Sequence, residues 1–268
     1  MRCLIFLILM LPFFSIGQNG APVTLGARSI ALGNASIGLK GADALLNNPA
    51  GLATITSFHA IVAAEQRFAN QDLQSIAAGA AISTSSGVIG LSLNYFGFDL
   101  YNEQRIGLSY SRSLLQNFSI GAQLVLHNTQ IEEYGSKLVP TFEIGLMMEI
   151  IPELTVGAYV FNPMRIELNE DELLPTAIRL GFAYAPSDKS LFVAEVSKDI
   201  EYPVEVKAGI EYKVVDQLML RTGISTAPEK WSFGLGYLIE NAGLRIDVSA
   251  SHHQFLGFTP GFSVVYQP

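Results

Sequence analysis

The sequence predicts an all-β fold: a transmembrane antiparallel β-barrel of about fourteen strands, with an N-terminal hatch inside its lumen. Three observations carry this. The chain is 49% hydrophobic and only 15% charged, with a mean hydropathy of +0.33, yet after its first residues no run is long enough for a spanning helix. From Phe58 onward the apolar residues recur at every second position. The strand-length segments are joined alternately by tight and by longer links, as in barrels with short turns on one side. A soluble domain this apolar would be unusual, whereas a barrel spreads its apolar residues over alternate positions.

The first element is a secretory signal. Arg2 is followed by an apolar run from Cys3 to Phe14, and Ser15-Ile16-Gly17 places small residues where a signal peptidase reads them. Residues 1–17 are expected to be removed, with cleavage before Gln18. A membrane anchor would need about 20 apolar residues, more than this run offers. No cysteine follows the run to carry a lipid, and Cys3 is the sole cysteine. The mature chain is therefore expected to have no disulfide, no thiolate nucleophile and no cysteine metal site. The net charge of -8 and the lack of any basic run argue against nucleic acid as a partner.

Residues 18–56 have a different character. Gly26 to Gly38 is dominated by small residues, and Gly41-Ala42-Asp43-Ala44-Leu45-Leu46 reads as a short helix ending at Asn47-Asn48, with Pro49 stopping its continuation. Small residues allow close backbone approach. Repeated Ala, Leu and Ile argue against a solvated linker and for a plug folded inside the lumen.

Residues 57–268 form the barrel. Strands are expected near 58–66, 73–83, 87–98, 104–113, 118–129, 140–151, 153–162, 175–185, 190–198, 203–213, 217–226, 230–239, 243–252 and 260–267, the second and ninth being the least regular. Most have the roughly 9–11 residues that a tilted strand needs to cross a membrane, longer than the ~5–6 typical of soluble β-sheets. In Leu244–Ser251, for example, Leu, Ile, Val and Ala alternate with Arg245, Asp247, Ser249 and Ser251. Tyr95, Tyr110, Tyr184, Trp231, Tyr237 and Tyr266 fall near strand ends, where an interfacial girdle would sit. The polar faces carry both signs, in Glu143, Glu149, Arg179, Glu205, Lys207, Glu211, Arg221, Arg245 and Asp247. Facing lipid, an Arg or Lys would cost about 2–4 kcal/mol near the midplane. Facing a lumen, these groups can pair with one another or with the plug, for which Arg28 is a natural partner. The longest links are expected at 127–139 and 162–174. An even strand number puts both termini on the periplasmic side.

No nucleophile motif, phosphate loop or zinc spacing occurs, so no catalytic residue, cofactor or metal is expected and the chain is read as a non-enzyme. His252 and His253 are adjacent in a strand and point apart. Glu132-Glu133 and Glu170-Asp171-Glu172 sit in links and read as solvated loops, with a divalent cation site as the alternative.

Gly26-Ala27-Arg28, Gly33, Asp43 and Asn48-Pro49-Ala50-Gly51-Leu52, at this distance from a secretory start, resemble the N-terminal hatch of the FadL superfamily of outer-membrane proteins. The nearest flavour is its PorV/PorQ branch, linked to type IX secretion in Bacteroidetes-type bacteria. The motif spans residues 26–52, and the expected strand number matches the family's barrel. The resemblance implies a Gram-negative outer-membrane location and a hatch to which Gly26, Arg28, Gly33, Asp43, Asn48, Pro49 and Ala50 belong. In FadL-type transporters it further implies hydrophobic ligands that pass the hatch and leave through a gap in the wall. In the PorV/PorQ branch it implies an accessory role beside larger secretion machinery or a secreted cargo protein. The chain lacks the extended outer loops of the transporters, which favours the accessory reading, with passive transport of hydrophobic small molecules as the alternative. Outer-membrane lipid is a partner in either case. Met164, Ile166, Leu168, Leu173 and Leu174 are the one apolar cluster in a long link and the candidate outer-loop contact for a ligand or partner.

Overall fold

The computed structural model describes residues 24–169, 172–200 and 202–268. The expected signal at 1–17 and the first residues of the expected hatch, 18–23, lie outside them. The strands are β1 (Phe58–Gln66), β2 (Gln74–Thr84), β3 (Gly87–Phe98), β4 (Tyr101–Leu115), β5 (Phe118–Ile131), β6 (Gly135–Ile151), β7 (Leu154–Phe161), β8 (Glu167–Asn169), β9 (Glu172–Leu173), β10 (Ala177–Ser187), β11 (Ser190–Asp199), β12 (Glu205–Val215), β13 (Leu218–Thr226), β14 (Glu229–Ile239), β15 (Leu244–His253) and β16 (Gly257–Tyr266). Fourteen of them close into one antiparallel barrel, with β16 beside β1 and β7 beside β10. β8 and β9 form a separate two-stranded ribbon in the connection between β7 and β10.

Alternation along the strands sorts the residues between two faces. On β14 the outward row is Trp231, Phe233, Leu235, Tyr237 and Ile239, all exposed, while Ser232 is buried. On β15 the inward row holds buried Arg245, Asp247, Ser249 and Ser251. These strands are apolar outside and polar inside, and elsewhere the inward face mixes polar residues with Ile61, Val88, Val193 and Val265.

One end of the barrel carries tight connections, including 116–117, 152–153, 188–189 and 216–217, and receives both the start of β1 and the end of β16. We call it the turn end and the other the loop end. Tyr110, Tyr184, Tyr212, Tyr237 and Tyr266 face outward within a few residues of the turn end. Trp231 and Phe258 face outward at the loop end, joined through His252, whose ring lies 4.6 Å from that of Phe258.

Two expectations are corrected. The long link at 127–139 is mostly ladder: His127 pairs with Val139 and Ile131 with Gly135, leaving a three-residue turn at 132–134. Asn128, Gln130 and Ser136 break the apolar alternation there, but backbone pairing does not require it. Nor do the described residues show the wall gap that the resemblance implies for FadL-type transporters, since every neighbouring pair of the fourteen strands is joined by a ladder. The register shifts in β4–β5, β6–β7, β10–β11 and β12–β13 all lie beside tight turns, where a bulge closes the hairpin and leaves mid-wall hydrogen bonds intact.

Candidate functional site

Residues 24–56 run against the inward side of the ring. Helix α1 (Ala27–Ala31) touches β13–β16 and β1, the 3-10 turn Gly41–Leu46 touches β1–β3, and the 3-10 turn Pro49–Thr54 touches β3–β6. Small residues on both sides permit this. Gly33, at φ 69° in the left-handed region that favours glycine, sits against Ile224 and Ala208 of the wall. Its amide in turn occupies the place a side chain at Gly223 would need. Gly26 also has positive φ (97°), which turns the chain into α1.

The segment is fastened by charge. Arg28 makes a two-pronged contact with Glu211 (Nε and Nη2, both 2.8 Å) and reaches Asp43 through Nη1 at 2.9 Å. Asp43 accepts from Arg245, which also donates to Asp247 at 2.8 Å. Asp247 accepts from Arg221 at 2.7 Å, and Arg221 returns to Glu211 at 2.5 Å. Three guanidiniums and three carboxylates thus alternate in a closed, neutral ring, two members from the inner segment and four from β12, β13 and β15. Each carboxylate lies between two guanidiniums. Burial alone would raise the Asp43 carboxyl, but Arg245 and Arg28 outweigh it and hold that group below the usual carboxylate range. Burial would lower Arg28, yet Glu211 and Asp43 keep it fully charged, above its ordinary value. Buried ion pairs add little stability over a well-packed apolar core, but removing one partner costs about 3–5 kcal/mol. The ring therefore mainly fixes where the segment sits.

Further fastenings lie around the wall. Glu195 accepts from the backbone N–H groups of Ser36 (2.9 Å) and Ile37 (3.2 Å) while paired with Arg179 and Lys207. Arg179 also donates to the hydroxyls of Thr24 and Ser36. Lys40 pairs with Glu149. Asn48 is fully buried. Its amide nitrogen donates to the Ile37 carbonyl (2.9 Å), and its oxygen accepts from the Ala50 N–H (3.1 Å). The Ala50 carbonyl accepts from Ser111 and Ser119 of the wall. The expected short helix is the 3-10 turn Gly41–Leu46, ending at Asn47, and Pro49 takes the first position of the next 3-10 turn, with Asn48 as the cap. A proline at that position loses no hydrogen bond, because its missing N–H would have had no helical partner.

Apolar clusters join wall and inner segment at both ends, with Ile61, Val88 and Val265 around Leu52 near the turn end and a second cluster at the loop end. Tyr159, Phe161, Val139, Leu174 and Ala177 form a buried cluster with Ile37 of the inner segment, and Ile166 packs onto it. Asn162 holds the connection that brings them in: it accepts from Thr141 and the Ile166 N–H and donates to the Leu174 carbonyl. Arg105 lies over the Phe161 ring, 4.9 Å from its centroid, and pairs with Glu143. The expected outer-loop cluster therefore divides. Met164 is exposed, but Leu174 is 1% exposed and points into the barrel, because a leucine beside Phe161 gains more from burial than from water. Leu168 and Leu173 lie on the β8–β9 ribbon, and their side chains fall outside the described ones, as do Glu170 and Asp171.

Sequence reasoning singled out Arg28 as a partner for an inward acid, and Glu211 and Asp43 are the acids it meets. It missed Glu195, which faces inward beside Gly181 and Lys207. The signal was present but faint, since residues 190–198 alternate poorly. Among the described residues no cluster of three or more metal-binding side chains occurs.

No family model matches the chain, and no curated protein matches it in sequence. Its shape is similar to that of FadL-family outer-membrane channels. The CymD monoaromatic hydrocarbon channel aligns with a TM-score of 0.69 at 12% identity, over 92% of this chain and 98% of that one. A Pseudomonas aeruginosa FadL homologue gives 0.67 at 14% identity, over 92% and 99%. The Pseudomonas putida toluene transporter TodX gives 0.66 at 13% identity, over 90% and 96%. At these identities the likeness is one of fold, the closed fourteen-stranded antiparallel barrel.

Proposed function

We propose that this chain is a Gram-negative outer-membrane barrel, with residues 24–56 as its hatch and both termini in the periplasm, that passes small hydrophobic molecules without bond-making chemistry. The outward apolar rows and the tyrosines near the turn end support membrane embedding, because such a surface is stable only against lipid. The single observation that carries the transport reading is the apolar cluster at the loop end. There Ile166, Leu174, Phe161 and Tyr159 pack down to Ile37 of the inner segment, an apolar lining that suits a hydrophobic molecule better than an ion. Solved neighbours described as hydrocarbon channels and a toluene transporter agree with that chemistry. The test is uptake of radiolabelled toluene by lipopolysaccharide-bearing cells that lack channels of their own. Faster initial uptake than in cells with an empty vector is expected, and Leu174→Trp should remove the gain while the barrel still folds.

A second reading is an accessory barrel of the PorV/PorQ type, serving secretion machinery or a cargo protein. The unbroken wall and the clamped inner segment favour it, since a sealed scaffold needs no passage. Toluene uptake no faster than the control, together with a stoichiometric protein partner after mild detergent extraction, would favour this reading over transport.

A further inference from the structure

A cavity of about 290 Å³ lies in the outer face of the wall, lined by Phe118 of β5, Leu146 and Met148 of β6, Val156 and Ala158 of β7, and Leu180 of β10. Register explains it. Leu146, Ala158 and Leu180 are paired across three strands and face outward, so the small Ala158 is flanked by two leucines. Directly beside it the inward Gly157 and Gly181 face each other across β7–β10, leaving bare backbone as the floor. The cavity does not continue into the lumen. A side chain at Gly157 would fall 2.6 Å from the Ile37 carbonyl oxygen and 2.7 Å from its Cγ2, so the inner segment closes the floor from behind.

We infer that this groove binds one acyl chain of a membrane phospholipid, in the leaflet at the turn end. It interrupts a continuous lipid-facing surface, with Leu180 and Leu146 exposed at its rim, and its side chains are apolar throughout. An enclosed cavity of roughly 150 Å³ holds a benzene ring, so this volume suits a length of hydrocarbon chain and is too small for a helix. Its height selects the leaflet: Val156 is the third residue of β7 and Met148 pairs with Phe118, the first residue of β5, both next to tight turns. The chain would lie over β7, the shortest strand of the wall.

The inference rests on the membrane reading and is independent of transport. The test uses the full barrel in vesicles of phosphatidylethanolamine carrying a diazirine within one acyl chain, photolysed and mapped by peptide mass spectrometry. Adducts are expected to concentrate severalfold on 146–148, 156–158 and 180 over the rest of the outward surface. Ala158→Phe, which fills the groove from the lipid side, should bring them to the background level with heat-modifiable migration unchanged. Should that variant fail to fold, Ala158→Val is expected to reduce them in part. An even spread of adducts around the belt, or a pattern unaffected by filling the groove, overturns the inference. Failure of the protein to enter vesicles at all would instead overturn the membrane reading.

Discussion

Arg245 donates through one terminal nitrogen to both carboxylate oxygens of Asp43, at 2.7 and 2.9 Å, joining two residues 202 positions apart in the chain. This contact closes the charge ring between the inner segment and the wall, and it ties the last third of the barrel to the first residues that fold inside it. Asp43→Asn keeps the shape and removes the charge. It leaves Arg245 and Arg28 each short of a partner in a buried setting, at a cost of about 3–5 kcal/mol. The expected outcome is faster protease cleavage within residues 24–56 in a barrel that still shows heat-modifiable migration, because the strand ladders are untouched.

Asn48→Ala should act at the opposite side of the segment. It strands the Ile37 carbonyl and the Ala50 N–H, at about 1–3 kcal/mol for each group left unsatisfied. Hydrogen exchange at Ala50 should accelerate while exchange in β5 and β6 is unchanged. Gly145→Ala should produce the same loosening from the wall side, since the added methyl falls on the Asn48 side-chain oxygen. Unaltered exchange in both variants would mean that this turn is only a linker.

Acid should release the segment late. The folded-state value of Asp43 lies below its ordinary one, so the stability it contributes is present above about pH 4, the usual range for Asp, and is lost as pH falls through the lower folded value. Protease protection of residues 24–56 is therefore expected to stay constant from neutral pH to about pH 5 and to decline only below about pH 4. Loss of protection near pH 6 would point to a different controlling group.

How far the sequence reveals this arrangement follows from how local each signal is. Strand alternation is local, and the pattern in β14 or β15 is plain from a few residues. The ends of β5 and β6 are less so: beyond the apolar belt their ladder continues through Asn128, Gln130 and Ser136, which carry no hydrophobic period. The alternation of Arg245 and Asp247 marks them as inward, and Arg28 asks for an acid. That Asp43 and Arg245 share one ring depends on a closure that no local pattern records. The inward turn of Leu174 has the same origin. Five apolar residues in a long link look like an outer lip until Asn162 is seen to fold the connection back onto Phe161.

Recovery from cells offers a coarse check on the whole scheme. The mature protein is expected in the outer-membrane fraction, β-rich and heat-modifiable, beginning at Gln18. Folded, monodisperse protein from the periplasm without detergent would be incompatible with the exposed apolar rows.

The central claim is that residues 24–56, clamped by the Arg28–Asp43–Arg245 ring, close the barrel. Conductance of the purified protein in a planar bilayer tests it most directly. The intact protein is expected to pass little current, and deletion of residues 27–47 is expected to yield large, steady openings. A large steady conductance from the intact protein, or no change on deletion in a barrel that still folds, would contradict the claim.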